Sequence, residues 1–485
     1  MSTWDPVAHV LLGYMQNWLE GILQHQLRDL WGIGCVTKEK ASSTSSTNNS
    51  EFTLPPEFND NDGGDDDNAD TGPVPISVYP QFEFLDSELG HIRNAIVCVS
   101  LPTYLDCPPS NFGEKSRGKL KADTYLVLFA FIFPLIIPEI WWAFSVPSYQ
   151  CKLLESFYYL FVSTTVMISY KTSENSRLLF SNHYIPYRCS IQELFPVKRK
   201  PNHHYAMHSP SIMEYWGPLA SLNEFAGKRM NGQLQCTKTN RRMRDIDFTM
   251  LDKACRCARL QALLQDRASN EELVVKLTAL LEPAEAVPVF SSEADGTVLD
   301  SVQLAAFLTS SRRLDDALYA AILAYIEGNL CPVQSLKVLP PQANIPISPP
   351  QAKQLCTPDI EGRAYSDQHH HEGNSAVQFT DIHTSSRCTG FIQSTWLIPV
   401  GTQLRAIVVV RPHLPLLPGE TARTPYSHYA LMKTQIFDAA PSSELIIIKP
   451  KHVVAHVTTL PRPLGTYGIM RETVAVCWAV GRDRK

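Results

Sequence analysis

The sequence predicts an α+β chain, with a helix-rich region followed by a small antiparallel β module. Three observations carry this. Between about residues 84 and 284, apolar positions recur at helical spacing and strong period-2 runs are lacking. After residue 376 the texture changes to short β-branched runs, separated at roughly even intervals by Pro, Gly and Ser clusters, as in a small barrel or sandwich. The 485 residues, 44% of them hydrophobic, can supply a real core, and the length suits roughly two to four domains.

Taken in order, residues 1–36 form a helical segment. Val10, Leu11, Met15, Trp18, Leu19, Ile22, Leu23, Leu27, Leu30 and Trp31 recur at three and four, as a buried helix face requires. Residues 37–83 are Ser/Thr-rich, then acidic, and 57–70 hold seven acids and no base. Such a segment cannot bury enough apolar surface to offset ordering and is expected to be a disordered insert. Residues 84–334 are expected to form the helix-rich domain. Within it, 124–147 reads as a membrane-span candidate by hydropathy. Pro134, Pro138 and Glu139 argue instead for a core helix entering a proline-bent turn, so a membrane is not an expected partner. Residues 270–282 and 315–329 carry helix-start signals. Residues 335–375, Pro/Gln/His-rich, read as a linker in which His369, His370 and His371 are incidental. Residues 376–485 form the β-rich module.

A formal charge of -5 hides a strong asymmetry, because 198–259 are rich in Lys and Arg. Lys198, Arg199, Lys200, Lys228, Arg229, Lys238, Arg241, Arg242, Arg244, Lys253, Arg256 and Arg259 are candidates for neutralising phosphates, which demands only positive charge. Double-stranded DNA is therefore the candidate partner, against the plainer reading of solvated helix faces. The twelve cysteines are scattered and no basic leader precedes them, so reduced thiols in a nuclear or cytoplasmic protein are expected. Cys255 and Cys257 have poor zinc spacing and read as buried helix cysteines. His203, His204 and His208 lie between Pro201 and Pro210. A metal or proton-relay site is the sharper reading, and capping or core hydrogen bonding the plainer one. If the segment is helical, His204 and His208 share a face.

Several blocks together resemble one family. Asp5-Pro6 and the run Met15-Gln16-Asn17-Trp18-Leu19-Glu20-Gly21-Ile22-Leu23-Gln24-His25 come first. Leu101-Pro102, Gly113-Glu114 and Gly118-Lys119-Leu120-Lys121-Ala122-Asp123 follow. Then come Lys200-Pro201-Asn202-His203-His204-Tyr205-Ala206-Met207-His208, Gly217-Pro218, Phe225 through Asn231-Gly232, Thr239-Asn240 and Phe248-Thr249. Pro450-Lys451-His452-Val453-Val454-Ala455-His456-Val457 closes the series. In number, order and spacing these blocks resemble transposases of the CACTA (En/Spm-like) class, in their fungal form. The resemblance implies a partial RNase H-like region. Such cores hold divalent metal on carboxylates, because hard Mg²⁺ prefers oxygen ligands, and two metals stabilise the attacking and leaving oxygens.

The pattern also departs from that family. The chain begins near the family's second acidic motif, leaving Asp5 as a weak catalytic candidate. Glu20, a second acid nearby, reads as structural. Gln16 stands where the family has His, and an amide cannot shuttle a proton. Lys228 stands at the expected metal-ligand Glu, where a cation repels the metal. His203, His204, His208, Asn231 and Gly232 remain as structural motif residues. The expectation is thus a truncated, degenerate transposase-derived protein, not an enzyme, with no metal of its own and residual DNA binding. Two alternatives stand beside it: an active DDE-type transposase or nuclease subunit completed by a missing N-terminal part, and a membrane-associated protein anchored by 124–147.

Overall fold

A computed structural model describes residues 13–34, 82–114, 120–142, 149–195, 200–222, 243–266, 295–336, 345–382 and 384–484. The acidic insert at 57–70 and the helix start at 270–282 lie outside these residues. Helices and antiparallel sheet are both present, as the sequence predicts.

Aromatic packing organises the helical part. Trp31 stacks on Phe129 with ring centroids 5.6 Å apart and meets Phe133 and Trp141 edge-on. Each such pair adds about 0.5–1.5 kcal/mol beyond area burial. The Tyr149–Met167 and Glu174–Leu194 helices pack beside this cluster. Ser173 caps the second of them by accepting from the Ser176 amide at 3.1 Å.

The hydrophobic stretch is one helix, Ala122–Trp141, and 83% of its most apolar window is buried within the fold. The sequence predicts a turn at the prolines, yet the helix runs through both. A proline has no N–H and strips the carbonyl four residues earlier of its partner. Here side chains from the C-terminal sheet replace it. For Pro138, the orphaned Pro134 carbonyl accepts from the Tyr426 hydroxyl at 2.9 Å. For Pro134, the Ala130 carbonyl accepts from the Cys477 thiol at 3.8 Å. A π-type turn, Leu128–Ile132, lies just upstream, and within it the Phe131 carbonyl accepts from Thr458 Oγ1 at 3.2 Å. Glu139 pairs with the guanidinium of Arg462 and sits 3.0 Å from His91 Nε2. Burial would raise its carboxyl, but these two hydrogen bonds outweigh that and hold it below the usual range.

Thirteen strands are described: β1 (Arg312–Arg313), β2 (Gln334–Ser335), β3 (Ile347–Ser348), β4 (Gln351–Gln354), β5 (Ala376–Thr380), β6 (Arg387–Val400), β7 (Gln403–Pro412), β8 (Leu414–Pro415), β9 (Thr434–Asp438), β10 (Ile446–Ile448), β11 (Val453–His456), β12 (Thr458–Arg462) and β13 (Thr473–Cys477). Each of the six β-branched runs contributes at least one. In one sheet β11, β5, β6 and β7 are successive neighbours; in the other the order is β12-β13-β9-β8. Two strands bend from the first sheet into the second. β7 becomes β8 across His413, whose amide donates to the Thr389 carbonyl at 2.9 Å, and β11 becomes β12 across Val457, whose amide donates to the Ala376 carbonyl at 3.0 Å. With both edges shared, the strands close a six-stranded antiparallel barrel. Its interior is plugged by Ala376, Val457, Val474 and Val476, with Phe391, Phe437 and Trp478 packed on them.

Strand alternation explains how the barrel meets the helices. In β13, Val474 and Val476 face the barrel interior, while Ala475 and Cys477 join the helical core with Leu460 and Ile436. The β module therefore shares its core with the helices, and the sequence concealed this because β13 is apolar on both faces. Two further expectations change. The end of the helix-rich region packs on the β6–β7 hairpin: Tyr319, Ile322 and Ile326 lie against Trp396, Ile398, Ile407 and Val409. The supposed linker 335–375 contributes β3, β4 and the Glu372–Ser375 helix. Two of its histidines have structural roles. His371 Nδ1 accepts from the Asn374 amide at 3.1 Å, and His370 Nδ1 lies 3.0 Å from Asp367. Gly373 is required here, since a β-carbon would collide with the Leu101 carbonyl.

Candidate functional site

The two best-marked sequence blocks, far apart in the chain, meet in the structure. Met15–Leu23 and Gln26–Leu30 are consecutive helical runs whose apolar face enters the core. Residues 200–206 form a turn and the short Asn202–Ala206 helix across them. Gly21 allows the approach, because a β-carbon there would lie 2.5 Å from Asn202 Nδ2. The Asn202 amide in turn donates to Asn17 Oδ1 at 3.4 Å.

At the centre His203 Nε2 lies 3.0 Å from His25 Nδ1, and the residues are 1% and 2% exposed. At that distance one ring donates and the other accepts. The Tyr184 hydroxyl donates to the His203 carbonyl at 3.1 Å, and Arg188 Nη1 donates to the same oxygen at 3.0 Å. The Tyr187 hydroxyl donates to Gln26 Oε1 at 2.7 Å. Burial pushes both phenols well up, so they stay protonated donors. Asp29 Oδ2 accepts a 2.7 Å ion pair from Lys200 and lies 3.9 Å from His25 Nε2. The result is a polar joint clasping the first helix to the 200–206 segment. Two sealed imidazoles with paired surroundings order a fold; a general acid or base must instead reach a substrate.

The other predicted residues scatter. Gln16 is exposed. Lys200 is held by Asp29. His204 and His208 do share a face, with Nε2 atoms 3.4 Å apart, and both are exposed. Arg244, Lys253, Arg256 and Arg259 are exposed on Met243–Asp245 and the Ile246–Asp266 helix, where Arg256 pairs with Asp252 at 2.9 Å. Cys255 and Cys257 are exposed on that helix, contrary to the expected burial, because no face of it is covered by described residues. Asp5, Lys198, Arg199, Lys228, Arg229, Asn231, Gly232, Lys238, Arg241 and Arg242 lie outside the described residues. His25, Asp29 and Tyr184 were missed as members of the joint. The i, i+4 spacing of His25 and Asp29 was the available signal.

Compared with known proteins, the chain matches no family model, no curated protein and no solved structure.

Proposed function

We propose that this is a transposase-derived protein of the CACTA class, with a partial RNase H-like region, that no longer cuts DNA and retains nucleic-acid binding. One observation carries the reading: residues quoted for the resemblance, Asn17 and Gly21 on one side and Lys200, Asn202 and His203 on the other, converge on one packed joint. Separate blocks that share a structural task would be kept together in a decaying sequence, and incidental matches have no reason to meet. Lys228 at the expected metal-ligand position supports the loss of cutting. Mg²⁺ belongs to the ancestral reaction on this reading.

DNA contact needs only cations, and Arg244, Lys253, Arg256 and Arg259 are exposed for it. The test is affinity for duplex DNA at two salt concentrations, beside a Mg²⁺-dependent nicking assay. Binding that weakens steeply with salt, without nicking, is expected. Absence of binding at low salt, or a flat salt response, contradicts the retained binding, and Mg²⁺-dependent nicking that co-purifies with the chain contradicts the lost chemistry.

A further inference from the structure

One end of the barrel is open. Above the apolar plug lies a cavity of about 540 Å³ lined from five of the six strands. Barrel mouths are recurrent ligand sites, since the wall is rigid and the interior excludes water.

Three features of the lining point to one ligand chemistry. The first is charge: Arg387, Lys433 and Arg484 line the cavity, and Asp483 is the one carboxylate among its described lining residues. Lys433 and Asp483 pair at 3.0 Å, and Arg484 is braced over the Tyr170 ring at 4.4 Å. The second is flat apolar surface from Phe437 and Trp478. The third is uncharged hydrogen-bonding capacity deep inside. Gln378 and Gln435 each offer a donor and an acceptor along the wall. His413, at the strand bend, is wedged between Phe391 and Phe437 at 4.9 and 5.3 Å. Its Nδ1 lies 3.0 Å from Thr389 Oγ1, while its buried Nε2 has no hydrogen-bond partner among the described residues. A buried polar atom left unpaired is costly unless something binds it. Burial holds this imidazole down to about 4, so it is neutral.

Backbone strain concentrates at the same place. Lys433, Arg482 and Asp483 have φ of 50, 49 and 55°, the left-handed region that side chains avoid. Such conformations persist where the surroundings enforce them, often at ligand clamps.

We propose that the barrel lumen binds one nucleoside phosphate unit, its planar base inside against Phe437, Trp478 and His413 and its phosphate at the cationic mouth. The amides of Gln378 and Gln435 and the open His413 nitrogen read the base edge. Arg387, Lys433 and Arg484 hold the phosphate. A free mononucleotide and a nucleotide of a single strand present the same chemistry. The site rests on the lumen alone and stands whether or not the transposase reading does.

The test uses the full chain and three probes: adenosine 5′-monophosphate, a 5′-phosphorylated oligothymidylate and inorganic phosphate. Binding is read by calorimetry. Either nucleotide probe is expected to bind. Stronger binding of the strand assigns the site to nucleic acid, and stronger binding of the monophosphate to a free nucleotide. Arg387→Ala and Arg484→Ala should each weaken binding about tenfold, the scale of one lost charge-assisted contact. Gln435→Leu should change base preference. Because calorimetry on the wild-type chain needs no variant, it remains decisive if a variant misfolds. The proposal fails if neither nucleotide binds, or if inorganic phosphate binds as tightly as they do.

Discussion

The His25–His203 joint and the barrel lumen are both polar sites inside one fold, and they are built in opposite ways. The joint is closed: its rings are nearly inaccessible, and carbonyl, amide and phenol partners surround them. The lumen is open, with cations at its mouth and a buried imidazole nitrogen that has no hydrogen-bond partner among the described residues. The joint gathers Asn17, Gly21, Lys200, Asn202 and His203 from the blocks that drew attention in the sequence, while the charged and aromatic lining of the lumen comes from none of them. A motif rich in histidine marks architecture here, and the surface suited to a ligand comes from residues that look ordinary along the chain.

Breaking sealed contacts should cost stability, and breaking the lumen should cost binding. The largest stability effect is expected at Arg462, which is 5% exposed and neutralises Glu139 inside the fold. Arg462→Leu leaves the Glu139 carboxylate with His91 as its remaining partner and should destabilise by about 3–5 kcal/mol in denaturant unfolding. His203→Phe strands His25 and should cost about 1–3 kcal/mol by the same measurement, with nucleotide affinity unchanged. Tyr426→Phe leaves the Pro134 carbonyl buried without its donor and should cost about 1 kcal/mol or somewhat more.

A pH series sharpens the comparison further. Burial lowers His413 from 6.5 to about 4 and His456 from 6.5 to about 3. Below 6.5 the unfolded chain takes up protons that these folded imidazoles refuse, so stability falls with acidity. For His413 the loss accumulates from 6.5 down to about 4, and for His456 down to about 3. Glu139, held below its ordinary value, adds a loss in the same direction as it protonates. Thermal unfolding should show a midpoint that drops steadily below pH 6.5, and His456→Phe should flatten the drop.

Much of this fold was legible in sequence. The β-branched runs after residue 376 were found because period and composition are local signals, and the helix-start pattern at 315–329 corresponds to the Asp316–Asn329 helix capped by Asp315. Closure of the barrel was not legible. It depends on β7 and β11 bending between sheets at His413 and Val457 and on β8 meeting β9, and pairing partners leave no local trace. The helix through Pro134 and Pro138 was misjudged for a related reason: the groups that satisfy its orphaned carbonyls, Tyr426 and Cys477, lie about three hundred residues away in sequence. Of the sites, His203 could be singled out, but its partner His25 could not be assigned without the fold. Lumen residues such as Arg387 and Gln435 gave no signal, since alternation along a strand identifies a face without saying what that face encloses.

The division of labour between joint and lumen is tested most directly by one titration. Wild type, His203→Phe and Arg484→Ala would be compared for affinity to a 5′-phosphorylated single strand, each checked for folding by circular dichroism. The account predicts wild-type affinity for His203→Phe and about a tenfold loss for Arg484→Ala. Full affinity in Arg484→Ala with loss in a folded His203→Phe would contradict it, and would place the binding site at the histidine joint.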